Sequence, residues 1–309
     1  MRSIVVGLGI QGNKRQRFAG SDFVASVDPV NASAAYRSVE DVPLASFDAA
    51  LVCTPDEPKM ELLNYLVGNG KHVLVEKPLW AADDGQLVEL EALARDKKVF
   101  CYTAYNHRFE PHFVRMRDLI LSERLGRIYR CRMFYGNGTA RLVRESGWRD
   151  QGAGVLPDLG SHLLDTAAFL FGPLTGELKV ISASRFENQA PDHVVVVSEK
   201  SRPKFEFEMT LLMWRNHFTC DVLAEHGTAH IESLCKWGPS RFVVRTRVLP
   251  SGRPPEESVT LVQDDPTWEI EYSHFRAACL SGQQTDLGTD RWLNSTLGAL
   301  CSQASTVAS

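Results

Sequence analysis

Several things are missing from this 309-residue chain, and each absence narrows its class. No stretch approaches the roughly 18 consecutive apolar residues that a membrane helix requires. No charge of one sign dominates: 34 basic and 38 acidic residues leave a formal charge of −4, with no global pull toward nucleic acid or a membrane. No Cys-x-x-Cys occurs. The seven cysteines, Cys53, Cys101, Cys131, Cys220, Cys235, Cys279 and Cys301, are odd in number and scattered singly, so they read as free thiols in a reducing compartment, and no metal site is expected. There is no internal repeat and no low-complexity tail. A predicted strand at Ser3 leaves no room for a signal peptide, so a cytoplasmic protein is expected.

What is present divides into two patterns, and the length favours two domains. Short apolar runs at Ser3 to Val6, Phe23 to Val27, Asp48 to Thr54, His72 to Val75 and Val99 to Thr103 alternate with helical spacing. Met60, Leu62, Leu63, Leu66 and Val67 mark one helix; Leu87, Leu90, Leu93 and Ala94 mark another. Interleaved strands and helices imply crossovers and a parallel sheet covered on both faces. The helix between the first two runs is weak, because Asn13 to Arg17 leave it little apolar face. After a helix near Phe113 to Leu121 come alternating runs at Ile128 to Tyr135, Lys179 to Phe186, His193 to Glu199, Phe205 to Leu212, His217 to Leu223 and Phe242 to Leu249. They lack intervening helices except a strong pattern at Leu159 to Phe171. The expected fold class is α/β. A Rossmann-type parallel sheet over residues 1–124 is followed, over 125–309, by an α/β domain with a large, mostly antiparallel open sheet. Ser251 to Pro255 reads as an exposed loop and Trp268 to Leu280 as a helix.

Three elements carry chemistry. Gly7-Leu8-Gly9-Ile10-Gln11-Gly12 follows a strand and opens a helix, the context of a dinucleotide fingerprint. Gly7 permits the tight turn, Gly9 admits a pyrophosphate to the backbone, and Gly12 lets helix and strand pack closely. Asp28 ends the second strand 21 residues after Gly7, where a carboxylate accepts hydrogen bonds from an adenosine ribose. A carboxylate there repels a 2′-phosphate, which favours NAD. Lys14 and Arg15 would screen such a phosphate if they point back, which leaves NADP open.

Glu76-Lys77-Pro78 ends a parallel strand, at the sheet edge where ligands bind. Pro78 restricts Lys77 to extended geometry, and an ammonium so directed can donate to a hydroxyl or carbonyl oxygen. The competing reading is a surface strand end. In Pro157-Asp158-Leu159-Gly160-Ser161-His162, the four-residue spacing puts Asp158 and His162 on one helix face, and Asp165 follows. Imidazole suits proton transfer near neutral pH, with a carboxylate to orient it or meet the substrate. Asp158 as a helix cap and His162 as a core histidine stay open as alternatives.

With these residues laid out, the chain resembles the Gfo/Idh/MocA oxidoreductases, named for glucose-fructose oxidoreductase and inositol dehydrogenase. The resemblance covers most of the chain. Gly7 to Gly12, Asp28, Thr54-Pro55, Gly70 to Pro78, Tyr105-Asn106-His107-Arg108-Phe109 with Pro111, and Gly154 to Asp165 carry it. It implies a Rossmann domain followed by an α/β domain whose open sheet builds dimers or tetramers. It also implies a catalytic group of Lys77, Asp158 and His162, with His162 as acid/base, Lys77 polarising the reacting oxygen and Asp158 assisting. The implied cofactor contacts are Gly7, Gly9, Ile10, Gln11, Gly12, Asp28, Thr54, Pro55, Glu76, Lys77 and Asn106. The implied substrates are sugars, cyclitols and nucleotide sugars. The chain departs from the family at Asp56 and Lys59, where Asn and then His are usual, and its helix after Asp28 is abbreviated.

Charge is the best clue to the substrate. Between Arg124 and Arg149 lie seven arginines, Arg124, Arg127, Arg130, Arg132, Arg141, Arg144 and Arg149, against the single acid Glu145. Arg144, Trp148 and Arg149 precede the catalytic helix, and guanidinium groups there would recognise a phosphate or carboxylate, as on a nucleotide sugar or sugar acid. A solvated face or an oligomer contact explains them as well. Tyr135, Asn137, Trp214 and Asn216 would add aromatic and amide contacts to a sugar. Two other functions remain open: a glycosidase that oxidises its sugar transiently, and a nucleotide-binding regulator without turnover.

Overall fold

The computed structural model describes residues 1–146 and 149–307, which form two compact units. The first comprises Met1–Asn106 and Thr267–Ser295, the second His107–Pro266 and Thr296–Ser309.

The first unit opens with β1 (Ser3–Val6), α1 (Ile10–Ala19), β2 (Phe23–Val27) and β3 (Ala49–Val52). It continues through α2 (Lys59–Gly68), β4 (His72–Glu76), α3 (Asp84–Asp96) and β5 (Cys101–Ala104). The strands form one parallel sheet in the order β2-β1-β3-β4-β5. In β1, β3 and β5 every residue is buried, as the apolar runs require of a sheet covered on both faces. Ile4, Val52 and Val75 share a core with Leu63, Leu66 and Val67 of α2 and Leu87, Leu90 and Ala94 of α3. After Asp28 there is no α-helix before β3 among the described residues, only single turns at Val39–Asp41 and Leu44–Ser46.

The weak first helix forms for a reason its apolar content does not show. Arg15 is 1% exposed, and its Nε donates to Glu76 at 2.7 Å and its Nη1 to Glu271 at 2.6 Å. Its guanidinium also lies 4.3 Å from the ring centre of Trp268. Burial opposes the cation, but Glu271 and Glu76 outweigh it and hold the guanidinium above its ordinary range. Arg15 is therefore a structural cation and does not point back toward a ribose phosphate, the possibility that had left NADP open.

The second unit contains α4 (Pro111–Leu121), β6 (Ile128–Gly136), α5 (Ala140–Arg144), α6 (Ser161–Phe171), β7 (Leu178–Ser184), β8 (His193–Ser198) and β9 (Lys204–Thr210). Then come β10 (His217–Ala224), β11 (Gly227–Glu232), β12 (Ser240–Thr246) and β13 (Glu256–Leu261). Its eight strands run in the order β13-β12-β11-β10-β6-β9-β8-β7, antiparallel except between β6 and β9. Alternation sets the faces: Cys131, Met133, Phe205, Phe207 and Met209 are buried, whereas Arg130, Arg132, Glu206 and Glu208 lie on the other face and pair with one another. Sequence periodicity misses β11 and the polar edge strand β13.

The division differs from the expected boundary after residue 124. The helix α4 belongs to the second unit, where it buries Phe113, Met116 and Leu119 and sets Phe113 against Phe218 at 5.1 Å. Two further helices, α7 (Thr267–Ser281) and α8 (Gly288–Val307), end the chain. The segment Thr267–Ser295 returns to the first unit, because Tyr272 and Phe275 are buried there, Tyr272 bonds Asp22 at 2.9 Å, and Leu287 enters the core. The end of α8 serves the second unit, where Gln303 bonds Val180 and Leu178. No helix among the described residues is long and apolar enough to cross a membrane.

Replacing Arg15 with Met leaves the buried Glu271 and the part-buried Glu76 without their cation, which should cost about 3–5 kcal/mol of stability. Urea unfolding of the two proteins measures this, and a loss under about 1 kcal/mol would show the triad to be dispensable.

Candidate active site

At the carboxyl edge of the parallel sheet, the glycine turn is built as a cradle. Gly7 has φ +91°, and a Cβ on it would lie 2.7 Å from the Cys53 carbonyl oxygen. A Cβ on Gly12 would lie 1.8 Å from the Gly7 carbonyl oxygen, so only glycine fits there. Around Gly9 the space is open, and no side chain caps the helix that starts at Ile10. Its first backbone N–H groups are thus left for an anion. Ile10 and Gln11 are exposed beside it.

Asp28, at the end of β2, accepts from the backbone N–H groups of Leu8 at 2.7 Å, Val30 at 2.9 Å and Asn31 at 2.7 Å. Burial works against its charge, but those donors prevail and hold the carboxyl below its usual range. The cation beside it is Arg37, which donates to the carbonyls of Asn31 at 2.9 Å and Asp28 at 3.4 Å. Pro55 is exposed after β3. Thr54 before it has a buried hydroxyl with no hydrogen-bond partner among the described residues. Asn106 is buried and donates to Thr267 Oγ1 at 2.7 Å.

Lys77 follows β4 and is half-buried, and the Lys77–Pro78 peptide is cis. The Glu76 carboxylate beside it is taken by Arg15. Lys59, 2% exposed, donates to the carbonyls of Glu76 at 3.0 Å and Pro78 at 3.1 Å, and to Asp56 at 2.6 Å. The two departures from the family pattern, Asp56 and Lys59, therefore form one assembly around the lysine turn.

In the second unit, a π-helical turn at Leu156–Gly160 leads into α6 and carries Asp158. Such wide turns recur at functional sites. Asp158 does not cap the helix; it pairs with Arg149 at 3.0 Å, both groups part-exposed. His162 is buried, and its ring stacks on that of His107 with 4.1 Å between centroids. Lys236 Nζ donates to His107 Nε2 at 3.3 Å and to the Tyr135 hydroxyl at 3.2 Å. Asp165 sits apart from this chemistry, holding Arg108 through two oxygens at 3.1 and 3.0 Å.

Models of two families match successive stretches of the chain: the NAD-binding Rossmann fold of an oxidoreductase family over residues 3–105, and the GFO/IDH/MocA C-terminal domain over residues 113–230. The chain belongs to the Gfo/Idh/MocA oxidoreductases. An uncharacterized oxidoreductase of Schizosaccharomyces pombe is 32% identical over 41% of this chain and 35% of its own length. The trans-1,2-dihydrobenzene-1,2-diol dehydrogenase of Mus musculus is 26% identical over 69% of this chain and 63% of its own. The matched region thus spans from about a third to under two thirds of these relatives. The solved levoglucosan dehydrogenase in complex with NADH superposes with a TM-score of 0.83 at 17% identity, covering 100% of this chain and 98% of that one, a likeness of fold.

As in this family, the first unit is an NAD-binding Rossmann domain, and the features that fit the nucleotide are specific: open space at Gly9, an uncapped helix start, an ionised Asp28 and an unpartnered Thr54 hydroxyl. The arginines of the Gfo/Idh/MocA C-terminal domain are largely engaged. Arg124 pairs with Glu257, Arg130 with Glu206, Arg132 with Glu206 and Glu208, and Arg141 with Glu145. Arg149 holds Asp158, Arg144 donates to the Glu187 carbonyl at 3.2 Å, and Arg127 lies over Tyr129. Trp148 lies outside the described residues. Asn137 and Asn216 serve loops, bonding Thr139 and the Gly138 N–H, while Trp214 is fully exposed. Sequence reasoning missed Lys236, which stands alone in a distant loop; it quoted His107 only as part of a motif.

Glu110, buried near Cys235 and Lys236, is held above its ordinary range chiefly by burial, against hydrogen bonds from Cys235. A carboxyl raised in the fold is favoured when protonated, so its contribution is present below the unfolded value near 4.5 and lost as pH rises through the folded one. Glu110→Gln should therefore stabilise the protein at pH 8, and the gain should vanish toward pH 4. Urea unfolding at both pH values checks the sign.

Proposed function

We propose that the protein is an NAD(P)-dependent oxidoreductase that interconverts a hydroxyl and a carbonyl on a sugar or cyclitol. The observation that carries the reading is that the nucleotide cradle and Lys77 occupy the same carboxyl edge of one parallel sheet, Gly7 after β1, Asp28 after β2, Thr54 after β3 and Lys77 after β4. When bound, the nicotinamide supplies the acceptor or donor of the hydride.

The residues of this chain do the rest. The Lys77 ammonium donates a hydrogen bond to the reacting oxygen and stabilises the charge that grows there. His162 takes the hydroxyl proton as the carbon–oxygen bond becomes a carbonyl, and returns it in the reverse direction. Stacking on His107 fixes the plane of the His162 ring. The ammonium of Lys236 can only donate, so His107 Nε2 accepts and the proton of that ring resides on Nδ1. Asp158 assists as a substrate contact, with Arg149 holding its carboxylate.

The arginine pairing supports a neutral polyhydroxyl substrate over a phosphate or carboxylate, since Arg149 already has a carboxylate partner and Arg144 a carbonyl. An ionised Asp28 supports NAD; Arg37 is the cation available to a 2′-phosphate. The exposed face of the eight-stranded sheet, with its Arg130, Arg132, Glu206 and Glu208 ladder, is the surface proposed to join two or four copies of the 34.5 kDa chain. Mass photometry at micromolar concentration would read a lone monomer if that is wrong.

The test is nicotinamide absorbance with NAD or NADP against myo-inositol, levoglucosan, trans-1,2-dihydrobenzene-1,2-diol, UDP-N-acetylglucosamine and D-glucuronate. Net reduction with a neutral polyol is expected, and NAD should exceed NADP. Lys77→Ala and His162→Ala should each lower kcat by about 10²- to 10⁴-fold, with NADH affinity within a few fold. Equal loss of nucleotide binding would make Lys77 a structural lysine, and cleavage of a glycoside without net reduction would favour the transient-oxidation cycle.

A further inference from the structure

The Glu76-Lys77-Pro78 turn is gripped by two buried cations that catalysis does not use directly. Arg15 holds the Glu76 carboxylate. Lys59 does something different: its ammonium bonds the main chain on both sides of Lys77. An ammonium has three hydrogens to donate, and in Lys59 all three have acceptors, the carbonyls of Glu76 and Pro78 at 3.0 and 3.1 Å and Asp56 at 2.6 Å. A cation 2% exposed is costly unless so satisfied, which makes this a specific arrangement rather than a solvated helix start.

We propose that Lys59 is a positioning residue, whose ammonium pins the two carbonyls that flank Lys77 and so sets the direction in which the Lys77 side chain leaves the sheet edge. With the carbonyls of Glu76 and Pro78 both anchored to one point, the Glu76–Lys77 and Pro78–Leu79 peptides are tied together, the Lys77–Pro78 plane between them has little room to swing, and the direction of the Lys77 Cα–Cβ bond is restricted. Charge acts in the same direction: Asp56 partly offsets the Lys59 ammonium, which reduces its repulsion of the ammonium it positions. The inference rests on reading Lys77 as the group that holds the reacting oxygen, but the pinning itself does not.

Two measurements on the full chain separate those claims. Amide hydrogen exchange of peptides spanning residues 72–80, with and without NADH, reads the turn itself. Lys59→Met should raise exchange there at least tenfold while peptides of β6 and β9 keep wild-type rates; Lys59→Gln, which retains an amide donor, should fall between. Turnover of the best polyol from the panel above, set beside Lys77→Ala, reads the consequence. Lys59→Met should lose most of the kcat that Lys77→Ala loses, with KM for NAD within about threefold and Lys59→Gln partly rescuing it. Unchanged exchange in the turn overturns the proposal, as does uniform loosening of the whole first unit. Full kcat in Lys59→Met beside an inactive Lys77→Ala overturns it too. If Lys77→Ala stays active or no polyol is oxidised, the catalytic reading of Lys77 fails instead, and exchange alone decides whether Lys59 pins the turn.

Discussion

One guanidinium organises the nucleotide-binding unit. Arg15 emerges from the first helix beyond the glycine turn and reaches two carboxylates from parts of the chain far apart in sequence, Glu76 at the end of β4 and Glu271 on the returning helix α7. Its face is covered by Trp268. A buried charge of this kind is tolerated only with its partners in place, so helix, strand end and returning segment must assemble together. It explains why a helix with almost no apolar stripe is nevertheless anchored. It also removes from the ribose end a cation that would otherwise have blurred the choice between nucleotides, leaving Asp28 and its neighbour Arg37 there.

The second unit relies on aromatic and imidazole packing. His162 is held by ring stacking on His107, and His107 in turn by an ammonium from the loop at Cys235–Trp237. The stack restrains the ring plane and leaves rotation of charge and proton to chemistry. The wide turn before α6 carries Asp158, so the carboxylate and the imidazole come from differently wound backbone. Arg108 and Asp165 tie the turn that carries His107 to α6.

Much of this was legible in the sequence, and the gaps have physical causes. The parallel sheet was readable because Ile4-Val5-Val6, Ala50-Leu51-Val52 and Val73-Leu74-Val75 are buried on both sides and so are continuously apolar. The strand β13 was not, since Glu256, Glu257 and Ser258 belong to a solvated edge with no buried face to impose alternation. The helix α8 carries its signal in Leu293, Leu297, Leu300 and Ala304, diluted by serine and threonine between them. Catalytic candidates emerged from local motifs, Gly7 to Gly12, Glu76 to Pro78 and Asp158 to His162. Their supports did not, because Lys59, Arg15 and Lys236 act through contacts with residues that only the fold brings near. The partners of the arginine-rich stretch were out of reach for the complementary reason: its acids, Glu206, Glu208 and Glu257, lie on other strands.

The return of Thr267–Ser295 to the first unit has a consequence for the order in which this molecule can be completed. Synthesis delivers β1 to β5 first, but the second partner of Arg15, Glu271, the bond from Tyr272 to Asp22 and the core contribution of Leu287 arrive only after the whole eight-stranded sheet has been made. The unit that begins the chain is therefore the last to close. A cut after Asn106 would release a fragment without Glu271, Tyr272 and Leu287, with a guanidinium, a tyrosine site and a gap in its core left uncovered, so the first unit cannot be had by truncation there.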